Sequence, residues 1–281
     1  MKPSKNFIYR ITTGIVFVAI LLGSILYTQY SYAVILGLVA FLALSEFYRL
    51  IRLFQGIKVS KYLNAAGGLL LFAGAFSAFE ANSYSIIFFI PYLLYILLLF
   101  VLQLYSKSEN TVCTLAYSLL GQVYIAVPLS LLNYLAYSYG LPGQGYHYAY
   151  LLALFVFIWV NDSFAYVFGV TLGKRRLFER ISPKKSWEGF WGGMVCTILA
   201  GAVFSRYFDA FPPVGWMGFA ATVVVFGTFG DLIESLLKRT LKVKDSGNLL
   251  PGHGGVLDRF DSMLFAIPAL VAYIEIFNCF K

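Results

Sequence analysis

Long runs without a single charge are the feature that most constrains this chain. Residues 11–27 and 151–160 contain no Lys, Arg, Asp or Glu, and about 20 apolar residues of helix cross the hydrocarbon core of a bilayer. Overall, 60% of the residues are hydrophobic and 12% are charged, whereas roughly 25% are charged in soluble domains. The composition excludes a soluble single domain and intrinsic disorder. It predicts an all-α polytopic integral membrane protein.

Apolar segments separated by polar residues predict about nine transmembrane helices. They lie near residues 11–30, 32–48, 62–79, 86–104, 112–136, 149–170, 189–208, 216–236 and 257–280. The first boundary is the narrowest, because only residues 29–31 separate two apolar runs. We predict a single membrane domain over residues 1–281, with apolar N-terminal helices in 1–148 and a catalytic half in 149–281.

The distribution of basic residues predicts the orientation, since Lys and Arg concentrate in short cytoplasmic loops. Nine alternating spans with a cytoplasmic N-terminus place 19 of the 21 basic residues on the cytoplasmic side. Only Arg206 and Lys281 fall outside, together with the C-terminus. The net charge of +8 then belongs to one face of the membrane. It favours anionic lipid headgroups or phosphorylated cytosolic ligands over nucleic acid.

Two segments of the C-terminal half carry polar residues that a plain membrane span does not need. Asp162 lies past the middle of a span, where an acid usually faces a polar cavity or is held neutral by a neighbouring helix. Lys184 and Lys185 precede the seventh span in the run SPKKSWEGFWGG, where they either bind phosphate or are ordinary cytoplasmic loop charges. The sequence leaves both alternatives open, and with them the role of Asp162.

The strongest signal lies in residues 230–261. Asp231, Glu234 and Ser235 share one helix face near the cytoplasmic end of the eighth span, and Asp258 and Asp261 repeat the three-residue spacing at the start of the ninth. We therefore expect four carboxylates at one depth. The loop between the two helices adds further polar residues, namely Lys238, Arg239, Lys244, Asp245 and His253.

Such a cluster of acids would repel itself unless cations neutralise it. Oxygen ligands favour Mg²⁺ or Mn²⁺ over zinc, and Mg²⁺ is usually held by one or two carboxylates, water and substrate phosphates. The competing explanation is salt bridging of these acids to Arg239 and Arg259. His253 is either a general base or a hydrogen-bond donor to phosphate. A metal, phosphate-binding cations and a membrane setting together predict phosphoryl or nucleotidyl transfer to a lipid.

The same stretch resembles a known family. The pattern SLLKR, four residues, KDSG and then LPGHGGVLDRFD, from Ser235 to Asp261, is similar to the signature of phosphatidate cytidylyltransferases, also called CDP-diacylglycerol synthases. The runs SPKKSWEG from Ser182 and NDSFAY from Asn161 are similar to other parts of that family. The resemblance extends from about residue 151 to the C-terminus, while the first half resembles the family only in being apolar.

The resemblance implies Mg²⁺-dependent reaction of CTP with phosphatidic acid, giving CDP-diacylglycerol and pyrophosphate for phospholipid synthesis. It implies a multi-pass protein of the cell membrane with its active site at the cytosolic face. We expect Asp231, Asp258 and Asp261 to be metal ligands. The expected catalytic residues are Lys184, Lys185, Ser235, Lys238, Arg239, Lys244, Asp245, His253 and Arg259.

Other functions remain in competition at this stage. A cytidylyltransferase for an ether-linked isoprenoid lipid and a CTP-dependent polyprenol kinase are the nearest enzymatic alternatives, although the full signature argues against the kinase. An ion-coupled transporter would also place acids in helices, but it would not need the cytosolic lysines, glycines and histidine. The sequence leaves open whether the protein forms a homodimer, which acyl chains it prefers, and how many metal ions it binds.

Overall fold

The structure is a computed structural model that describes residues 5–54, 57–83, 85–106, 110–138, 145–247, 249 and 254–280, with side chains from Thr12 onward. Within these residues the chain is mostly helical, with one two-stranded hairpin and short connecting segments. The helices are α1 (Lys5–Tyr27), α2 (Gln29–Ile51), α3 (Lys61–Glu80), α4 (Ile90–Leu104), α5 (Thr111–Gly121), α6 (Val127–Ser130), α7 (Leu132–Tyr137), α8 (Ala149–Leu172), α9 (Trp187–Phe204), α10 (Pro213–Thr240) and α11 (Leu257–Cys279). The strands β1 (Arg176–Phe178) and β2 (Ser182–Ser186) lie between α8 and α9.

Eight helical segments of the described chain are long and apolar enough to cross a membrane. They are Gln29–Ile51, Lys61–Glu80, Ile86–Leu104, Thr111–Tyr137, Ala149–Leu172, Trp187–Phe204, Pro213–Thr240 and Leu257–Cys279, and they coincide with the second to ninth predicted spans. The first predicted span is helical, but its apolar part, Thr12–Tyr27, is shorter. The all-α polytopic class is confirmed, while the count of nine and the orientation stay predictions.

The narrow boundary between the first two predicted spans is a capped turn. Thr28 has extended backbone angles and begins α2. Its Oγ1 accepts a hydrogen bond from the Ser31 amide at 3.1 Å, and the Thr28 amide donates to Ser31 Oγ at 3.0 Å. This reciprocal pair is a capping box, which satisfies helix amides that would otherwise lack partners. One residue is therefore enough to separate the two helices.

The predicted span at 112–136 is interrupted. A π-helical turn, Gln122–Ala126, separates α5 from α6, and Pro128 follows it near the start of α6. Proline lacks an N–H group and disturbs the regular helical ladder. Buried polar groups hold the turn in place, because Gln122 Nε2 donates to the Tyr48 hydroxyl at 2.9 Å and to the Asn64 carbonyl at 2.8 Å. Such bonds between helices satisfy polar groups that lipid cannot.

The chain forms two compact units. The first comprises Met1–Asn133 and Leu241–Phe260, and the second comprises Tyr134–Thr240 and Asp261–Lys281. The two units are defined by which backbone segments pack together, and not by the types of residue that they contain. The single membrane domain and the division at residue 148 stay predictions.

The second unit is built on an aromatic core. Trp216 is fully buried, and its indole N–H donates to the Phe208 carbonyl at 2.9 Å. The rings of Tyr150, Phe204 and Phe219 lie within 6 Å of the Trp216 ring, centroid to centroid. Large rigid side chains of this kind bury much area at little conformational cost. They fix α8, α9 and α10 against each other and thereby fix the polar residues that these helices carry.

Candidate active site

A β-hairpin carries most of the basic residues that lie between α8 and α9. Its strands are antiparallel, with Arg176 opposite Ser186. Ser186 also begins α9, because its Oγ accepts a hydrogen bond from the Gly189 amide at 3.2 Å. Glu188 accepts a hydrogen bond from the Lys174 amide at 3.0 Å, and an acid in the first turn suits the positive end of the helix. The hairpin, which the sequence reasoning did not predict, is thus attached to the start of α9.

A cavity of about 280 Å³ lies in the second unit between the hairpin, α8, α9 and α10. Its polar lining consists of Asn161, Asp162, Tyr166, Ser182, Lys184, Lys185, Ser186, Thr228 and Asp231. A smaller cavity of about 20 Å³ shares several of these residues and is also lined by Ser262 of α11, which is room for roughly one water molecule. Asp162 therefore lines both cavities, and its role stays open.

An ion pair spans the wall of the larger cavity. The Lys185 ammonium pairs with Asp231 Oδ2, and the two side chains keep 31% and 29% of their surface exposed. Ser235, one helical turn beyond Asp231, donates its hydroxyl hydrogen to Asp231 Oδ1 at 3.2 Å. Lys184 lines the same cavity and is exposed. The predicted residues Lys184, Lys185, Ser235 and Asp231 therefore meet in one place.

Asp261 lies beside α10 in the second unit. Its Oδ1 accepts a hydrogen bond from the Ser262 amide at 2.6 Å. A Cβ atom placed on Gly230, the residue before Asp231, would lie 2.5 Å from the Asp261 carbonyl oxygen. The backbone that carries Asp231 therefore closely approaches the backbone that carries Asp261.

The fourth predicted carboxylate, that of Glu234, forms an ion pair with a lysine. Glu234 is fully buried and pairs with Lys238, one helical turn further along α10. The salt-bridging alternative named Arg239 and Arg259, whereas in the described part of this unit Asp231 pairs with Lys185 and Glu234 pairs with Lys238. Among the described residues, no group of three or more His, Cys, Asp or Glu side chains is arranged to hold a metal ion. Metal ligation by Asp231, Asp258 and Asp261 stays a prediction.

Asn161 and Thr228 are lining residues that the sequence reasoning missed. The buried Asn161 Oδ1 accepts no hydrogen bond from any described group, although buried carbonyl oxygens usually have a donor. A Cβ atom placed on Gly193 of α9 would lie 2.5 Å from this oxygen, so α8 and α9 approach closely there. Thr228 lies three residues before Asp231 on the same helix face. This spacing could have identified Thr228 as a residue near the site.

The remaining predicted residues are located as follows. Arg239 is exposed at the end of α10 in the second unit, and Lys244, Asp245 and Arg259 are exposed in the first unit. His253 lies outside the described residues. Asp258, also in the first unit, accepts hydrogen bonds from the amides of Ser246 at 3.0 Å and Gly255 at 2.8 Å.

Comparison with known proteins gives consistent results. The sequence model of the "Cytidylyltransferase family" matches residues 8–277. A "phosphatidate cytidylyltransferase" of Staphylococcus saprophyticus is 34% identical over 259 residues, which cover 91% of this chain and 93% of the relative. Proteins of the same name from Staphylococcus epidermidis and Staphylococcus aureus are 40% and 38% identical over 167 residues. Those shorter alignments cover 59% of this chain and 61% of each relative.

Proposed function

Because the chain belongs to the cytidylyltransferase family, we propose that it transfers CMP from CTP to phosphatidic acid, giving CDP-diacylglycerol and pyrophosphate. The observation that carries the proposal is the cavity of the second unit, which Lys184, Lys185 and Asp231 line and in which Lys185 pairs with Asp231. Lysine ammonium groups bind phosphate oxygens. The name of the staphylococcal relatives supplies the identity of the acceptor, phosphatidate, and of the transferred cytidylyl group.

The reaction needs little covalent help from the protein. An oxygen of the lipid phosphate forms a bond to the α-phosphorus of CTP, and the bond from that phosphorus to the bridging oxygen of the β-phosphate breaks. Pyrophosphate leaves with the electron pair of that bond. Such transfers depend mainly on positioning and on neutralising charge. We assign both tasks to Lys184 and Lys185.

A divalent cation fits the acids of the second unit. The backbones at Gly230 and Asp261 approach closely, since a Cβ atom on Gly230 would lie 2.5 Å from the Asp261 carbonyl oxygen, and one or two carboxylates with water and substrate phosphates are the usual Mg²⁺ environment. Asp231 and Asp261 would hold Mg²⁺, with Mn²⁺ as a substitute, and the family resemblance implies Asp258 as a third ligand. When bound, the ion would neutralise phosphate charge. Ser235 orients Asp231 through its hydrogen bond.

We place the hairpin and its cavity at the cytosolic face of the cell membrane. The support is the distribution of basic residues, since the cytoplasmic loops of the nine-span arrangement contain 19 of the 21. CTP is a water-soluble cytosolic nucleotide, so its site must open to that side. Phosphatidic acid would reach the same cavity from the bilayer.

Purified protein in detergent, supplied with CTP, phosphatidic acid and Mg²⁺, tests this proposal. We expect a cytidine-containing lipid that requires both substrates, disappears with EDTA and returns with excess Mg²⁺ or Mn²⁺. Ca²⁺ should substitute poorly, because its longer and looser ligation would misplace the phosphates. Full activity in metal-free buffer would refute the requirement for a divalent cation. Failure to form the lipid with metal present would refute the proposed reaction.

A further inference from the structure

Glu46 is a buried acid in the apolar N-terminal region. It lies in α2 with 9% of its surface exposed, and an acid buried within a membrane span is costly unless it has partners. Its Oε2 accepts hydrogen bonds from the Leu257 amide at 2.9 Å and from the Ser246 hydroxyl at 3.1 Å. Both donors are about 200 residues away in sequence, and all three residues belong to the first unit. The contacts therefore hold α2 against the segment that leads into α11.

Each donor has a local role. Leu257 is the first residue of α11, so its amide is one of the N-terminal donors that lack a partner within the helix. A negatively charged carboxylate at this end also interacts favourably with the positive end of the helix dipole. Ser246, whose hydroxyl is held by Glu46, donates its backbone N–H to Asp258 at 3.0 Å. A continuous path of hydrogen bonds thus runs from Glu46 through Ser246 to Asp258.

Arg49 strengthens this attachment. It lies three residues after Glu46, on the same side of α2, and its Nη2 donates to the Ser246 carbonyl. The Ser246 side chain and carbonyl are therefore both bonded to α2. The Ser246 backbone N–H donates to Asp258.

The two glycines nearest Glu46 show how closely the segment approaches. A Cβ atom on Gly255 would lie 2.4 Å from Glu46 Oε2, and a Cβ atom on Gly247 would lie 2.2 Å from Glu46 Oε1. Real Cβ atoms do not approach other atoms so closely, so only glycine fits at either position without displacing the carboxylate. The backbone directly after Ser246 and the backbone three residues before Asp258 are thus packed closely against the Glu46 carboxylate.

We propose that Glu46 is a positioning residue, which fixes the backbone around Ser246 and Gly255 and through it the orientation of Asp258. This inference rests on the proposed function for its effect on turnover, since Asp258 acts there as a ligand. The structural part of the inference, the attachment of residues 244–247 and 254–258 to α2, stands on the contacts alone. Neither the apolar composition of the first half nor the pattern of residues 235–261 points to Glu46.

The test compares Glu46→Ala, Glu46→Gln and the control Glu80→Ala in the full-length protein in detergent. Glu80 also accepts two side-chain hydrogen bonds, from Gln29 at 3.2 Å and Tyr30 at 2.8 Å, but neither donor belongs to the 244–258 segment. The first readout is the rate of trypsin cleavage after the exposed residues Lys242 and Lys244. The second is kcat per folded molecule, with the folded fraction measured by gel filtration and thermal melting.

We expect Glu46→Ala to be cleaved about tenfold faster than wild type, because losing the shared acceptor lets the segment open locally. Its kcat should fall by about tenfold or more, since a small displacement of a reacting group is costly. Glu46→Gln keeps an acceptor oxygen and should restore most of both properties, and Glu80→Ala should match wild type in both. Wild-type cleavage of Glu46→Ala would overturn the attachment. Faster cleavage with an unchanged kcat per folded molecule would overturn the positioning role.

The proteolysis arm does not depend on the reaction. If wild-type protein makes no CDP-diacylglycerol, the proposed function fails, and the cleavage rates still decide whether Glu46 holds the segment. The two failures are therefore distinguishable.

Discussion

Replacing Lys185 with methionine should lower turnover strongly while lowering stability only slightly. Methionine keeps most of the length of the side chain and removes the charge. Lys185 pairs with Asp231, and the two side chains remain 31% and 29% exposed. Ion pairs with this much solvent contact contribute about 0–1 kcal/mol to stability, because water screens the attraction and fixing the side chains costs entropy. A loss of about 1 kcal/mol lowers the melting temperature by roughly 2–4 °C in a protein somewhat smaller than this one.

The expected effect on turnover is much larger. In the proposed reaction Lys185 stabilises charge on phosphate oxygens inside a cavity bounded by apolar helices. Removing one such stabilising donor typically costs about 2.7–4 kcal/mol, which corresponds to roughly 10²–10³ in kcat. Lys185→Arg should recover only part of the loss, because the planar guanidinium differs in shape from a compact ammonium.

The assay measures CDP-diacylglycerol formation and thermal melting on the same purified samples. Lys174→Met is the matched control, since Lys174 is an exposed lysine before the hairpin that does not line the cavity. We expect wild-type turnover from the control. Near wild-type turnover in folded Lys185→Met would refute the assignment of phosphate stabilisation to this residue. A melting temperature lowered far beyond a few degrees would refute the argument that the pair is mainly functional.

Three further predictions address the metal site, the helix packing and the orientation. Asp261→Asn should keep its expression and shape yet lose turnover on the order of a hundredfold, and near wild-type rates at saturating Mg²⁺ would exclude it as a ligand. Gly193→Ala places a Cβ atom 2.5 Å from Asn161 Oδ1 and should destabilise by about 1–3 kcal/mol, as seen in thermal melting, whereas Gly23→Ala, with open space around it, should be neutral. In a cysteine-free background, Glu179→Cys should react with an impermeant thiol reagent only after cell lysis and Asp209→Cys should react in intact cells; the reverse pattern would overturn the orientation.

The spans could be predicted from sequence because apolar runs of membrane length have few alternatives to helices in a bilayer. The segment at 112–136 shows the limit of this approach. Its π-helical turn depends on Gln122 reaching Tyr48 and Asn64, which are distant in sequence. Composition detects the length of a span but not the partners that interrupt its regularity.

The candidate site was partly predictable, because some of its contacts join residues that are close together in the sequence. Asp231 and Ser235 share a helix face through local spacing, and their hydrogen bond follows from it. The prediction that Glu234 would join the acidic cluster placed Lys238 in the following loop, whereas Lys238 lies in the last turn of α10 and pairs with Glu234. Glu46 and the β-hairpin were missed because their roles come from contacts with residues far along the chain, or from strand pairing in a segment without alternating hydrophobicity.

The most direct test of the central claim follows the phosphorus atoms of CTP. Purified protein is given phosphatidic acid, Mg²⁺ and CTP labelled with ³²P at either the α- or the γ-phosphate, and the lipid product is extracted into organic solvent. Cytidylyl transfer predicts that label from the α-phosphate enters the lipid and that label from the γ-phosphate leaves as pyrophosphate. Label from the γ-phosphate in the lipid would instead identify a CTP-dependent lipid kinase and contradict the account.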